Sequence, residues 1–332
     1  MDRSALLDRL ATAAGRTVVV LGDLMLDEYI YGMVSRISPE APVPVLEADP
    51  DRRTYTPGGA ANVAVNLRTL GLDVQAFGIV GCDREAELLK GRLQAAGIPV
   101  DGILYDPDRP TTSKTRIVAH NQQVVRVDHE SRKPLPEDLR TALWERLRDR
   151  IRDTVGALVI SDYRKGVVAG VMTPERVRYV RERGVMVTAN CKPAHLAHLR
   201  GANLITMNEH ELAEAVDEPG ATAPSDAAGS LRRSLDIDTL IVTGGASGLC
   251  LYAADPERVH LDAVPVEVYD TVGAGDTVVT AATAALMAGL TVVDAARVAN
   301  WAGGAVVRKS GTASVTLDEI RAAAQLDGAV HE

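Results

Sequence analysis

The sequence predicts an α/β protein built on a doubly wound, mostly parallel sheet flanked by helices, with a small β-sheet lid. Three observations carry this. Short aliphatic and β-branched runs recur along the chain, helical stretches lie between most of them, and the first run, VVVL, stops at Gly22-Asp23, a strand end that opens onto a site. In order, strands are expected at residues 18–21, 74–80, 157–160, 185–188, 203–206 and 239–243, with helices at 60–70, 84–96, 136–154, 174–183 and 209–216. Such alternation implies right-handed crossovers and ligands at the carboxyl edge of the sheet. Two segments break it. Residues 43–56 read as a strand, a Pro-Asp turn and a second strand, and residues 111–128 as two strands around His120-Asn121-Gln122. With their flanks, about 30–57 and 109–130, they form the lid, an insertion within one domain spanning residues 1–332.

The 332 residues include 36 Lys and Arg against 45 Asp and Glu, a net charge of −9. That balance excludes a general nucleic-acid binder, which needs a positive field to displace phosphate counterions. Aromatic residues make up only 3 %, so the core is built from Ala, Val, Leu and Ile. Three distant cysteines, Cys82, Cys191 and Cys250, form no CxxC pair, which argues against a disulfide framework or a structural zinc and for a reducing cytoplasm. The seven histidines, including His195, His260 and His331, show no metal-ligand spacing and read as surface or packing residues. The charged start of the chain is unlike a signal peptide. The uncharged run 277–293 falls short of a membrane span and reads as one buried helix, so no membrane partner is expected.

The sharpest motif is DTVGAGD, ending at Asp276 where an apolar helix begins. Gly273-Ala274-Gly275 allows a tight turn, and the free amides of a first helical turn hold anions such as a transferring phosphoryl group. Asp276 beside such a hole can accept a proton from an attacking hydroxyl. The same residues also suit a plain turn with Asp276 capping the helix. Gly58-Gly59-Ala60-Ala61-Asn62 allows close ligand approach or simply starts a helix. Asn208 and Glu211, three apart, either orient water on a metal and phosphate or cap their helix. Thr243-Gly244-Gly245 ends another strand at the same edge. Lys114 and Arg116 share one face of a lid strand, with Arg126 on the next; they are a phosphate clamp or solvated charge.

In this order, Gly22-Asp23, PGGAAN, the Asn208–Glu211 pair, VTGG and DTVGAGD resemble the motif set of the ribokinase-like (PfkB) carbohydrate kinases, over nearly the whole chain. GDLMLDEYIYG at 22–32, SRISPEAPVPVLE at 35–47, SKTRIVAHNQQVVRVDHE at 113–130 and SDYRKG at 161–166 are similar to the bacterial D-glycero-β-D-manno-heptose 7-phosphate kinases, which phosphorylate the anomeric hydroxyl in ADP-heptose synthesis. The resemblance implies ATP and Mg²⁺, with Asp276 as base and the amides of Gly273 to Asp276 as the anion hole. It implies Asn208 and Glu211 as orienters of phosphate and metal, Glu211 through water. Asp23, Asp27, Gly58, Gly59 and Asn62 are expected at the sugar, Lys114, Arg116 and Arg126 at its 7-phosphate, and Asp162, Tyr163 and Lys165 between the two ligands. Lys192, Thr243, Gly245, Asn300 and Gly304 are expected near the nucleotide.

The chain departs from these kinases at Asn190-Cys191-Lys192, where Asp-Pro-Lys is usual, and at Met207, where Pro is usual. Without a carboxylate at 190 a metal-water contact there is lost, while Lys192 remains to neutralise phosphate. No HxGH-type segment precedes Glu332, so the expectation is a kinase whose adenylyltransferase partner is a separate chain. A homodimer through the lid is also implied. The alternatives are a ribokinase-like kinase of another sugar, and a silent sugar-phosphate-binding regulator. GDLMLD after the first strand, in place of a glycine-rich turn, argues against a dinucleotide-binding dehydrogenase.

Overall fold

A strand whose successive side chains are all apolar needs a hydrophobic layer on each side. Strand β1 (Thr17–Gly22) shows the consequence: Val18 and Val20 pack into one buried cluster, Val19 and Leu21 into a second on the opposite face. The computed structural model describes residues 1–120, 122–151, 154–216 and 224–328. In chain order the other strands are β2 (Leu24–Ile37), β3 (Pro44–Gly59), β4 (Asp73–Val80), β5 (Ile103–Tyr105), β6 (Thr112–Ala119), β7 (Gln122–His129), β8 (Val155–Ser161), β9 (Met186–Asn190), β10 (Leu204–Asn208), β11 (Thr239–Thr243), β12 (Leu249–Tyr252) and β13 (Arg258–Leu261). The helices are α1 (Arg3–Ala11), α2 (Ala60–Thr69), α3 (Arg84–Ala95), α4 (Glu137–Ile151), α5 (Val167–Val171), α6 (Pro174–Arg181), α7 (Glu209–Ala215), α8 (Pro224–Ser234), α9 (Ala274–Met287), α10 (Val292–Val306) and α11 (Leu317–Gly328).

Nine strands form one sheet in the order β13-β12-β11-β10-β9-β8-β1-β4-β5. Every pairing from β11 to β5 is parallel, and β12 alone is reversed, pairing antiparallel with both β11 and β13. The carboxyl ends of β1, β8, β9, β10 and β11 therefore bring Gly22, Ser161, Asn190, Asn208 and Thr243 to one edge. A separate four-stranded sheet, β3-β2-β6-β7, is the lid. All six expected main-sheet strands and all five expected helices are present within a few residues of their predicted ends; residues 152 and 153 of the expected helix 136–154 lie outside the described residues, as do Asn121 and His331.

Two readings need correction. Residues 43–56 are not a hairpin: β3 is one long strand pairing antiparallel with β2, and residues 49–52 oppose the single Tyr31, so the Pro-Asp segment is a bulge within it. The run 277–293 is not one helix, because α9 stops at Met287, Gly289 turns the chain at φ +79°, and α10 starts at Val292. Among the described residues no helix is long and apolar enough to cross a membrane.

The close packing of β1, β8 and α2 depends on a missing side chain. A Cβ on Gly22 would overlap the Ser161 carbonyl oxygen and stand 2.9 Å from the Ala60 Cβ. Gly22→Ala is expected to destabilise the fold by about 3 kcal/mol or more in equilibrium denaturation; a loss below about 1 kcal/mol would show that this contact relaxes freely.

Candidate active site

Helix α9 begins without a side-chain cap. Its N-cap is Gly273 at φ +80°, a conformation glycine adopts without strain, and no side chain caps the first-turn amides. The Ala274 N–H turns back to the Thr271 carbonyl at 3.2 Å, so it is removed from the expected anion hole. The N–H groups of Gly275 and Asp276 have no backbone acceptor among the described residues, which leaves two donors open at the positive end of the helix dipole. Asp270 fixes the approach, accepting from the amides of Val272 at 3.0 Å and Gly311 at 2.8 Å.

Asp276, 2 % exposed, follows directly. Its Oδ1 accepts from the Tyr163 hydroxyl at 2.9 Å and its Oδ2 from Asn62 Nδ2 at 3.0 Å. Burial pushes its pKa up to about 6 against the opposing pull of these two donors. Asn62 is itself oriented by Asn66, which donates to the Asn62 carbonyl and Oδ1, each at 3.0 Å. Asn62 therefore helps to hold Asp276 in place. Burial and the neighbouring Asp276 raise the Tyr163 phenol well above its ordinary pKa, so it stays a neutral donor.

Asp23, expected at the sugar, and Asp162, expected between the two ligands, both bond neighbouring loops. Asp23 gives Oδ2 to the amides of Tyr163 at 2.8 Å and Lys165 at 3.0 Å, and Oδ1 to that of Val167 at 3.2 Å. Its pKa rises to about 6, chiefly through burial. Asp162 accepts from the Arg164 and Lys192 amides at 2.9 and 3.2 Å, and contacts His195 Nδ1 at 2.9 Å. Both carboxylates tie together the loops that follow β8 and β9.

On the other side of Tyr163 lies a cleft of about 820 Å³, well inside the size range of small-molecule sites. It is lined by Lys192, Asn208, Glu211, Thr243, Gly245, Gly273, Ala274, Gly275, Asn300 and Gly304, which gathers every residue expected near a nucleotide. Sequence reasoning missed its apolar wall of Val264, Pro265, Val266 and Val268, which lie outside regular elements and so carry no periodic signal. Asn208 and Glu211 form a capping box, Asn208 N–H to Glu211 Oε2 at 2.9 Å and Glu211 N–H to Asn208 Oδ1 at 2.8 Å. Glu211 also takes an ion pair from Lys192, which lies 5.4 Å from the Tyr163 ring centre. Among the described residues no cluster of three His, Cys, Asp or Glu side chains is placed to hold a metal. A divalent ion fits here only if phosphate oxygens and water supply most of its ligands.

The lid sheet carries the remaining expected residues. Arg116, 6 % exposed, pairs with Asp27 at 2.5 Å and lies 5.2 Å from the Tyr29 ring centre. A Cβ on Gly58 would overlap the Asp27 carboxylate, and one on Gly59, at φ +55°, would meet the Asp23 carbonyl at 2.5 Å, so both glycines are steric necessities. Lys114 pairs with Asp128 at 3.1 Å and Arg126 with the same carboxylate at 2.8 Å. These three cations thus share two carboxylates, Asp27 and Asp128.

Ionising a buried Asp276 opposes folding. Between about pH 4 and pH 6 the folded protein holds a proton there that the unfolded chain has released, so stability from this group falls as pH rises through that window. Asp276→Asn is expected to raise the melting temperature by about 2 °C or more at pH 8 and by clearly less at pH 5. An equal effect at both pH values in thermal melts would contradict the raised pKa.

The chain matches the model of the pfkB family carbohydrate kinases over residues 16–319. It is 37 % identical over 325 residues, 97 % of its length, to the bifunctional protein HldE of Syntrophotalea carbinolica, and 40 % identical over 314 residues, 93 % of its length, to that of Pseudomonas syringae pv. tomato. It spans 66 % and 63 % of those relatives, about two thirds of each. Among solved structures it is similar to phosphofructokinase-2 from Escherichia coli in complex with substrates and products, with TM-score 0.75, 21 % identity and coverage of 93 % and 98 % of the two chains. It is likewise similar to Arabidopsis thaliana ribokinase complexed with ribose and ATP, with TM-score 0.68, 19 % identity and coverage of 95 % and 99 %. The matched family model covers both the lid and the α9 site, and on that footing the chain belongs to the pfkB family of carbohydrate kinases.

Proposed function

We propose that this sugar kinase transfers the γ-phosphoryl group of ATP to the anomeric hydroxyl of D-glycero-β-D-manno-heptose 7-phosphate, giving the 1,7-bisphosphate for ADP-heptose synthesis. The observation that carries the chemistry is the buried Asp276 beside the open Gly275 and Asp276 amides. The choice of sugar is supported by the motifs at residues 22–32, 35–47, 113–130 and 161–166, and by the 37–40 % identity to HldE proteins.

The acceptor hydroxyl lies between Asp276 and Asp27 and loses its proton to Asp276, which acts in its ionised form. Tyr163 and Asn62 hold that carboxylate in place. The transferring phosphoryl group meets the first turn of α9, and Lys192 offsets charge on the nucleotide phosphates. Mg²⁺, when bound, would neutralise and orient those phosphates, with Glu211 reached through water. The 7-phosphate is received by Arg116, Lys114 and Arg126, for which it competes with Asp27 and Asp128. A homodimer through the lid is supported by the exposed Met33, Ile37, Val43, Val125 and Val127, and by β7 as an uncovered edge strand.

ADP release is to be measured with Mg-ATP against the heptose 7-phosphate, fructose 6-phosphate, fructose, ribose and adenosine. Strong selectivity for the heptose phosphate is expected, and preference for another sugar would discard the lid assignment. Asp276→Asn is expected to lower kcat by about 10²–10⁴-fold with the fold intact; wild-type-like turnover would remove Asp276 as base. Rate is expected to fall below about pH 6 as Asp276 protonates. Because the Tyr163 hydrogen bond lowers the Asp276 pKa, Tyr163→Phe is expected to move that limb upward by about 0.5 unit or more. A limb that stays put or moves downward would contradict the contact.

A further inference from the structure

Asn190 ends β9 at the ligand edge, 8 % exposed, and lines the cleft. Among the described residues its side-chain amide makes no hydrogen bond within the protein, which leaves it available to a ligand in the cleft it lines. Its Nδ2 points at the first turn of α9, 3.2 Å from the position a Cβ on Gly275 would take. It therefore stands beside the two backbone N–H groups that have no acceptor. The nearby charges leave the spot open to an anion: Glu211 is engaged by Lys192 and the Asn208 amide, and Asp162 by the Arg164 and Lys192 amides and His195.

We propose that Asn190 Nδ2 donates directly to a phosphate oxygen of the bound nucleotide, and that its neutrality lets nucleotide bind without a divalent ion to screen it. The inference rests on the nucleotide reading of the cleft. A carboxylate of the same shape at this position would repel the phosphate and need a cation between them, whereas the amide supplies the bond itself.

The test is calorimetric titration of ADP into wild type, Asn190→Asp and Asn190→Ser, in EDTA and in excess Mg²⁺, with circular dichroism as the folding control. Wild type is expected to bind ADP in EDTA. Asn190→Asp is expected to bind about tenfold or more weakly in EDTA and to recover most of this in Mg²⁺, and Asn190→Ser to weaken several-fold in EDTA. Binding by both variants in EDTA within twofold of wild type would overturn the proposal, as would an Asn190→Asp defect that Mg²⁺ does not relieve. Absence of ADP binding by wild type in both buffers would instead overturn the nucleotide reading, and this proposal with it.

Discussion

A carboxylate removed from water must find donors or lose its charge, and Asp23 finds three in a single loop. Those amides belong to Tyr163, Lys165 and Val167, so Asp23 sets the course of the chain after β8. That course brings the Tyr163 hydroxyl to Asp276, more than a hundred residues away. One buried acid on β1's exit thus positions the partner of a second on α9. Asp162 extends the same device to the loop after β9 through Lys192 and His195. The site is a set of strand ends cross-linked by carboxylates, with α9 as its floor.

How much of this was legible in the sequence depended on how each segment is covered. The central strands announce themselves because both faces are buried, and the turn at Gly273 because glycine spacing is local chemistry. Strand β2 escaped detection because its residues serve different neighbours: Asp27 faces Arg116, Glu28 bonds Thr115, and the far end from Gly32 onward is largely exposed. The bulge opposite Tyr31 looked like a turn for a related reason, since a Pro-Asp pair interrupts a ladder whichever way the chain continues. Asp23 and Asp27 are indistinguishable as residue types. Only the three-dimensional course of residues 162–167 assigns the first to the scaffold and leaves the second beside the lid's arginine.

The pair of raised carboxylates also shows where the fold gives up stability. Asp23 and Asp276 both have pKa values near 6 because burial outweighs their hydrogen bonds. For Asp23 the return is a fixed loop. For Asp276 it is a group whose basicity sits close to neutral pH, as proton transfer favours.

The lid's attachment has a mechanical consequence. Leu24 at the start of β2, Gly59 at the end of β3, Thr112 at the start of β6 and His129 at the end of β7 are in or next to register with one another, so all four connections to the main sheet leave from the same end of the lid. A plate held along one margin twists and slides with difficulty and rocks easily about that margin. Because Asp27 and Arg116 lie only a few residues from it, such rocking sweeps the far ends of the strands through a wide arc while those two side chains barely travel.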